Sequence, residues 1–370
     1  MDNNDLPYEK EEAKETEAQS LNPDDGSTQS ENTAPLEKHT ETIEDIVASK
    51  YRVVPEIQAF REKVRQVKDE CGKLLVGQEE TIELMLTCIL AGGHVLLEGV
   101  PGIAKTLSAK VLARSIESEF ARIQFTPDLL PSDIIGTSVY KMDKSKFKFE
   151  KGPIFSNVVL IDEINRAPAK TQAALFEVME EKQISYDGKQ YEMSFPFVVI
   201  ATMNPIEQEG TYKLPEAQLD RFLMKLKLGY PDLQSEITIL RKFKNDVHKP
   251  DLSVVNPIIH PDELIKMQEI VSTIHVEDQM YQYICEIVQE TRNHGKVYLG
   301  ASPRSSLAIL KTAKVTAAMH GRSFVIPDDI QFVAPHIINH RLILSPDAEM
   351  EAITPESIIK EIIAELEVPR

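Results

Sequence analysis

The stretch Gly99, Val100, Pro101, Gly102, Ile103, Ala104, Lys105, Thr106 constrains this chain most, because the residues on either side limit what it can be. An apolar run of strand length, residues 94–97, precedes it, and a helical pattern beginning at Leu107 follows. A strand, a glycine-bearing loop ending in Lys-Thr and a helix form the setting of a phosphate-binding loop. Backbone N–H groups and the helix N-terminus cradle anionic oxygens, a lysine reaches the outer phosphates, and a hydroxyl takes a Mg²⁺ position. Lys105 and Thr106 fill those last two roles, which makes ATP and Mg²⁺ the expected cofactors. Ala104 stands where the general motif has its last glycine; a right-handed conformation is tolerated there, whereas a positive φ is strained for alanine.

A second element narrows the reading. Residues 158–161 form an apolar strand that runs into Asp162 and Glu163, two carboxylates where a parallel strand's C-terminus faces a ligand. Asp162 suits a magnesium shell, and Glu163 suits activation of an attacking water. A third strand, residues 197–202, leads to Asn204, whose neutral amide suits orientation of that water. An Asn before Pro205 is also a turn former; its place in the series favours the functional reading.

These strands, with residues 122–125 and 222–228, alternate with helical patterns. Short, nearly all-apolar strands separated by helices argue for an α/β fold, with a parallel sheet covered on both faces. A helix with Ile57, Phe60, Val64 and Val67 on one face precedes the first strand, and another ends at Gly92 and Gly93. After residue 230 helical periods take over, so residues 231–370 are expected to form a smaller all-helical domain. It closes with a helix capped at Thr354, with Pro355 first and Ile358, Ile359, Ile362, Ile363 and Leu366 on one stripe.

Residues 1–48 differ in kind. The first 40 carry eleven acidic residues against three lysines and almost no apolar periodicity, the composition of a disordered acidic tail. The whole chain has a formal charge of −18, which opposes binding to nucleic acid. With no long apolar run and no basic, apolar leader, a cytoplasmic protein outside the membrane is expected. Cys71, Cys88 and Cys285 read as idle thiols, and the nine histidines show no zinc spacing.

Four stretches together are similar to the MoxR family of AAA+ ATPases: GVPGIAKT, VVLIDEINRAP, ATMNPIEQEG and TYKLPEAQLDRF. The resemblance spans about residues 55–345. It implies an AAA+ P-loop core over residues 49–230, carrying a helix insert and a hairpin, followed by a helical lid. It also implies that alanine is common before the loop lysine, and that Val76, Gly77 and Gln78 flank the adenine, with residues 99–107 through Leu107 around the phosphates. Arg221 matches the arginine finger that reaches a neighbouring subunit, and Arg304 matches the lid's sensor arginine. By itself Arg221 reads first as an ordinary surface charge, whereas Arg304 at a helix start opposes the dipole and suggests a nearby anion. Residues 136–155 match the insert; Asp187 and Gly188 turn a hairpin, and both are expected on the central face of a ring, an idle exposed hairpin being the other reading.

The resemblance implies a hexameric ring that couples ATP hydrolysis to remodelling or maturation of protein clients, proteins with von Willebrand factor A domains among them. A magnesium-chelatase-type motor subunit shares the insert and hairpin, and a nucleotide-binding scaffold with little turnover shares the loop. Both alternatives stay open on sequence. A DNA motor is disfavoured by charge, and no GAFTGA loop of a transcription activator is present.

Overall fold

The computed structural model describes residues 55–143, 145–205, 211–212, 214–244 and 250–369. The acidic tail over 1–48, the first residues assigned to the core, and part of the EGTYK stretch lie outside the described residues.

Two helices lead in. Helix α1 (Pro55–Gly72) buries Ile57, Phe60, Val64, Val67 and Cys71, residues three or four apart and therefore on one face. Helix α2 (Glu79–Leu90) opens with Glu79 and Glu80, which suit a helix N-terminus. It gives way to Gly92 at φ 63°. Then follow β1 (Val95–Glu98), α3 (Lys105–Ser115), β2 (Phe120–Gln124) and the short α4 (Pro131–Ile135). A hairpin comes next, β3 (Gly136–Lys141) with β4 (Lys146–Lys151), then β5 (Val158–Asp162) and α5 (Ala169–Glu181). A second hairpin, β6 (Gln183–Tyr186) with β7 (Lys189–Glu192), precedes β8 (Val198–Met203), α6 (Glu216–Leu219) and β9 (Met224–Lys227).

The central sheet runs β2-β5-β8-β1-β9, and every neighbouring pair is parallel. Its strands are the five expected, with ends shifted by at most two residues. Alternate side chains separate two cores. Val95, Leu97, Val158, Leu160, Val198 and Ile200 pack towards α1, α2 and the helices after β9. Leu96, Val159, Ile161, Val199 and Ala201 pack against Leu175, Phe176 and Met179 of α5. Burial on both faces is the reason these strands read as continuous apolar runs.

The hairpins lie against each other: the Phe149 ring sits 4.6 Å from Tyr186 and 4.7 Å from Tyr191. Asp187 and Gly188 have φ of 50° and 71°, the left-handed pair a two-residue hairpin turn needs.

After β9 the chain is helical: α7 (Leu233–Lys242), α8 (Pro261–Thr273), α9 (Asp278–Asn293), α10 (Pro303–Met319), α11 (Pro327–Ile338), α12 (Pro346–Met350) and α13 (Pro355–Glu365). One short antiparallel ribbon, β10 (Val297–Leu299) with β11 (Ile343–Leu344), interrupts it. Thr354 caps α13 by accepting from the Ser357 N–H, and Ile358, Ile359 and Ile362 are buried. This helical region grips the β9 edge of the sheet. Asn339 donates to the Lys225 carbonyl at 3.0 Å, Arg341 to the Phe222 carbonyl at 2.9 Å and to Asp220 at 2.6 Å. Cys71 and Cys88 are buried and Cys285 exposed, all three as free thiols. No described helix is long and apolar enough to cross a membrane.

Candidate nucleotide site

The loop between β1 and α3 turns on Gly102 at φ 88° and Ala104 at φ 63°. Ala104 therefore adopts the left-handed conformation, the strained one of the two open to it, at a cost of about 1 kcal/mol. Helix α3 starts at Lys105, so the loop's amides and the helix N-terminus face the same space. Lys105 Nζ donates back to the Gly99 carbonyl, closing the loop on itself. Gly99 has no room for a side chain, since an added Cβ would lie 2.4 Å from Ile103 Cδ1 and 3.0 Å from the Leu228 carbonyl oxygen.

Gln78 braces this loop. Its amide donates to the Ile103 carbonyl at 2.8 Å and its oxygen accepts from Ser108 Oγ at 2.7 Å. Beside it opens a cavity of about 580 Å³ lined by Leu75, Val76 and Leu107, with Ile239, Leu240 and Phe243 contributed from the α7 region. Its apolar walls next to a phosphate-type loop suit a flat heterocycle. Gly77, at φ 70°, makes the turn into α2. The three residues from the α7 region were not foreseen, because their helix reads only as amphipathic until it is seen to cover the loop.

The sheet order explains how distant residues meet. Strand β8 lies between β5 and β1, which sets Asn204, buried just beyond β8, between the loop and Glu163. Thr106 Oγ1 lies 3.4 Å from Asp162 Oδ2, and Asp162 Oδ1 accepts from Thr202 Oγ1 at 2.6 Å. Arg122 donates to the same Oδ2 through Nε and Nη2, at 3.0 and 2.7 Å. Glu163 has a left-handed backbone, φ 57°, and its N–H donates to Thr202 Oγ1 at 3.0 Å. Its Oε2 accepts from Gln124 Nε2 at 2.7 Å and pairs with Arg166 Nε at 3.2 Å. Arg122, Gln124, Thr202 and Arg166 were read from sequence only as parts of strands and motifs, with no site role. Gln124 is paired with Asp162 across β2 and β5, a register that becomes visible only once the strand order is known.

Thr106 and Asp162 offer one hydroxyl and one carboxylate, and no group of three or more His, Cys, Asp or Glu able to hold a metal occurs among the described residues. That donor set fits Mg²⁺, which keeps several waters and binds through one or two protein oxygens plus phosphates.

Arg221 and Arg304 lie elsewhere. Arg221 precedes the N-terminal end of β9, whereas the loop follows the C-terminal end of β1, and the two strands are parallel over four residues. At about 3.3 Å per residue this separates them by roughly 13 Å along the sheet. Arg221 Nη1 donates to the Phe176 carbonyl at 2.6 Å and lies 3.8 Å from Glu180. Arg304 Nη1 donates to Asp220 at 3.1 Å, and its Nη2 pairs with Glu180 at 3.3 Å. The anion near Arg304 in this chain is thus a pair of carboxylates. Both arginines border one open cleft with His94 and Lys182. His94 is buried; its Nδ1 accepts from the Val199 N–H at 2.9 Å, so Nε2 carries the proton toward the Met179 carbonyl at 3.2 Å. Burial lowers its pKa to about 4.

Comparison with known proteins fits this geometry. Residues 94–224 match the ATPase family associated with various cellular activities (AAA), and residues 289–362 match the AAA lid domain. YeaC of Bacillus subtilis is 46% identical over 301 residues, 81% of this chain and 93% of that protein. Chaperone MoxR1 of Mycobacterium tuberculosis is 43% identical over 310 residues, 81% of each chain. A crystal structure of a Cytophaga hutchinsonii protein assigned as an ATPase superposes with a TM-score of 0.79 at 41% identity, covering 89% of this chain and all of that one.

Proposed function

This chain belongs to the MoxR family of AAA+ ATPases, and from that premise we propose that it hydrolyses Mg-ATP and uses the energy to remodel or mature protein clients. The observation that carries the hydrolytic half is the convergence of three parallel strand ends. Lys105 and Thr106, Asp162 and Glu163, and Asn204 come from β1, β5 and β8, which are neighbours in the sheet. In this reading Lys105 binds the outer phosphates, Thr106 and Asp162 hold Mg²⁺, Glu163 takes a proton from the attacking water and Asn204 orients it. Val76 and Gly77 border the adenine side, and residues 99–107 wrap the phosphates. Magnesium, when bound there, would supply charge neutralisation to the phosphates.

Arg221 and Arg304 face away from their own loop, so the reading gives them to the nucleotide of a neighbouring subunit. This supports a closed homo-oligomer, a hexameric ring in the present proposal. The client-directed half is supported by the relative named a chaperone. Proteins with von Willebrand factor A domains are the proposed clients.

The test is Glu163→Gln, which removes the base and keeps shape. Turnover is expected to fall roughly 10²- to 10⁴-fold while ATP still binds. Undiminished hydrolysis removes Glu163 from the chemistry. Proteins trapped by the inactive variant, identified by mass spectrometry, test the client assignment separately.

A further inference from the structure

On the face of the lid that meets the N-terminal edge of the sheet, a second cavity of about 440 Å³ opens, away from the phosphate loop. Its walls are apolar: Ile89 of α2, Phe197 before β8, Val271 of α8 and Leu310 of α10. Its charged lining is of one sign. Lys182, Lys311 and Lys314 border it and no Asp or Glu does, in a chain with 59 acidic and 41 basic residues.

These lysines are not spent on the protein. The side-chain ammonium groups of Lys182 and Lys311 make no hydrogen bond or ion pair among the described residues. Lys314 donates once, to the Ser272 carbonyl at 3.0 Å, which leaves two of its three N–H donors. The nearby carboxylates are already engaged, Asp220 by Arg304 and Arg341 and Glu180 by Arg304 and Arg221. Loss of water lowers the pKa of Lys311, with repulsion from Lys182 adding to it, and loss of water lowers that of Lys314. Ammonium groups crowded beside apolar walls without a counter-charge gain from any anion that brings its own apolar surface.

We propose that this cavity binds a small amphiphilic anion, its apolar body between Val271, Leu310 and Phe197 and its head on Lys182, Lys311 and Lys314. The volume lies within the range of small-molecule sites, and a few polar groups on apolar walls is their usual composition. Lysine, a point charge on a flexible stem, accepts a carboxylate or a phosphate head alike.

Isothermal titration of the full chain with decanoate and decyl phosphate, each below its micelle threshold, tests this. Decanol and inorganic phosphate serve as controls. Saturable binding of one amphiphile per chain is expected, at least about tenfold tighter than decanol, since the head's charge is what the lysines recognise. The stronger of the two identifies the preferred head. Lys311→Gln with Lys314→Gln is expected to weaken it about tenfold, while decanol binding stays unchanged. Leu310→Ala, which removes part of the wall, serves if the double variant does not fold, and it weakens both amphiphiles. Decanol binding equal to decanoate, inorganic phosphate equal to decyl phosphate, or insensitivity to both sets of changes overturns the proposal. Binding to dilute subunits but not to assembled ones overturns it too, by assigning the cavity to a subunit interface.

Discussion

Gln124 holds Glu163: the amide nitrogen lies 2.7 Å from the carboxylate oxygen Oε2, the same atom that Arg166 approaches at 3.2 Å. The residue proposed as base is therefore engaged by two donors before any nucleotide is considered. Gln124→Leu removes one of them and leaves the carboxylate freer to face water. Basal ATP turnover is expected to rise about two- to tenfold, with ATP affinity unchanged and no effect when Glu163 is already Gln. A rate that stays level or drops at constant affinity shows that Gln124 places the carboxylate productively instead of restraining it.

Ala104 offers a stability test. At φ 63° it pays for a left-handed backbone that glycine adopts freely, while glycine loses more freedom on folding. Ala104→Gly is expected to leave stability level or raise it by up to about 1 kcal/mol, read as a higher urea midpoint at constant slope. A loss above about 1 kcal/mol means that the methyl group makes contacts outweighing the strain.

The contrast between those two residues shows what was legible in advance. The fold was readable because parallel strands covered on both faces become unbroken apolar runs, and residues 158–161 are fully buried along their length. Lys105 and Thr106 stood out because they open the helix that follows a glycine-bearing loop, and Asp162 and Glu163 because they end an apolar strand, each within a local motif. Gln124, Arg122 and the Ile239 to Phe243 wall were not, because their approach depends on strand order and on the packing of α7, which no local pattern encodes. Ala104 was named correctly as the odd residue, yet its conformation is set by the turn and overrides alanine's preference.

Acid sensitivity follows from His94. Its folded pKa of about 4 lies below the ordinary 6.5, so between those values the unfolded chain binds a proton that the folded one refuses. Stability is thus complete above about pH 7 and is lost as pH falls through 6.5 towards 4, at up to about 1.4 kcal/mol per pH unit from this group. Burial lowers the pKa of His340 as well, and that side chain acts in the same direction. His94→Gln does not titrate, so unfolding midpoints measured from pH 7 to pH 4.5 are expected to fall less steeply in the variant. Parallel slopes mean that another group governs the acid limb.

The position of Arg221 and Arg304 makes the sharpest prediction. Both sit at the N-terminal edge of the sheet, held by Glu180 and, for Arg304, by Asp220, so neither approaches its own Lys105. An arginine supplied across an interface is worth about 10³- to 10⁵-fold in phosphoryl transfer. A dilute subunit is therefore expected to be nearly inactive, with specific activity rising as concentration increases. Arg221→Ala and Glu163→Gln are each expected to abolish most turnover alone. Mixed together, some interfaces pair an intact base from one subunit with an intact arginine from its neighbour, and part of the activity returns. Arg304→Ala mixed with Glu163→Gln is expected to behave alike, because Arg304 shares the cleft with Arg221. If only the Arg221 mixture recovers, Arg304 acts on the lid of its own subunit and Asp220 is its structural partner. If neither recovers although the subunits demonstrably co-assemble, both arginines are structural: Arg221 ties β9 to α5 within the core, and Arg304 fastens the helical region to it.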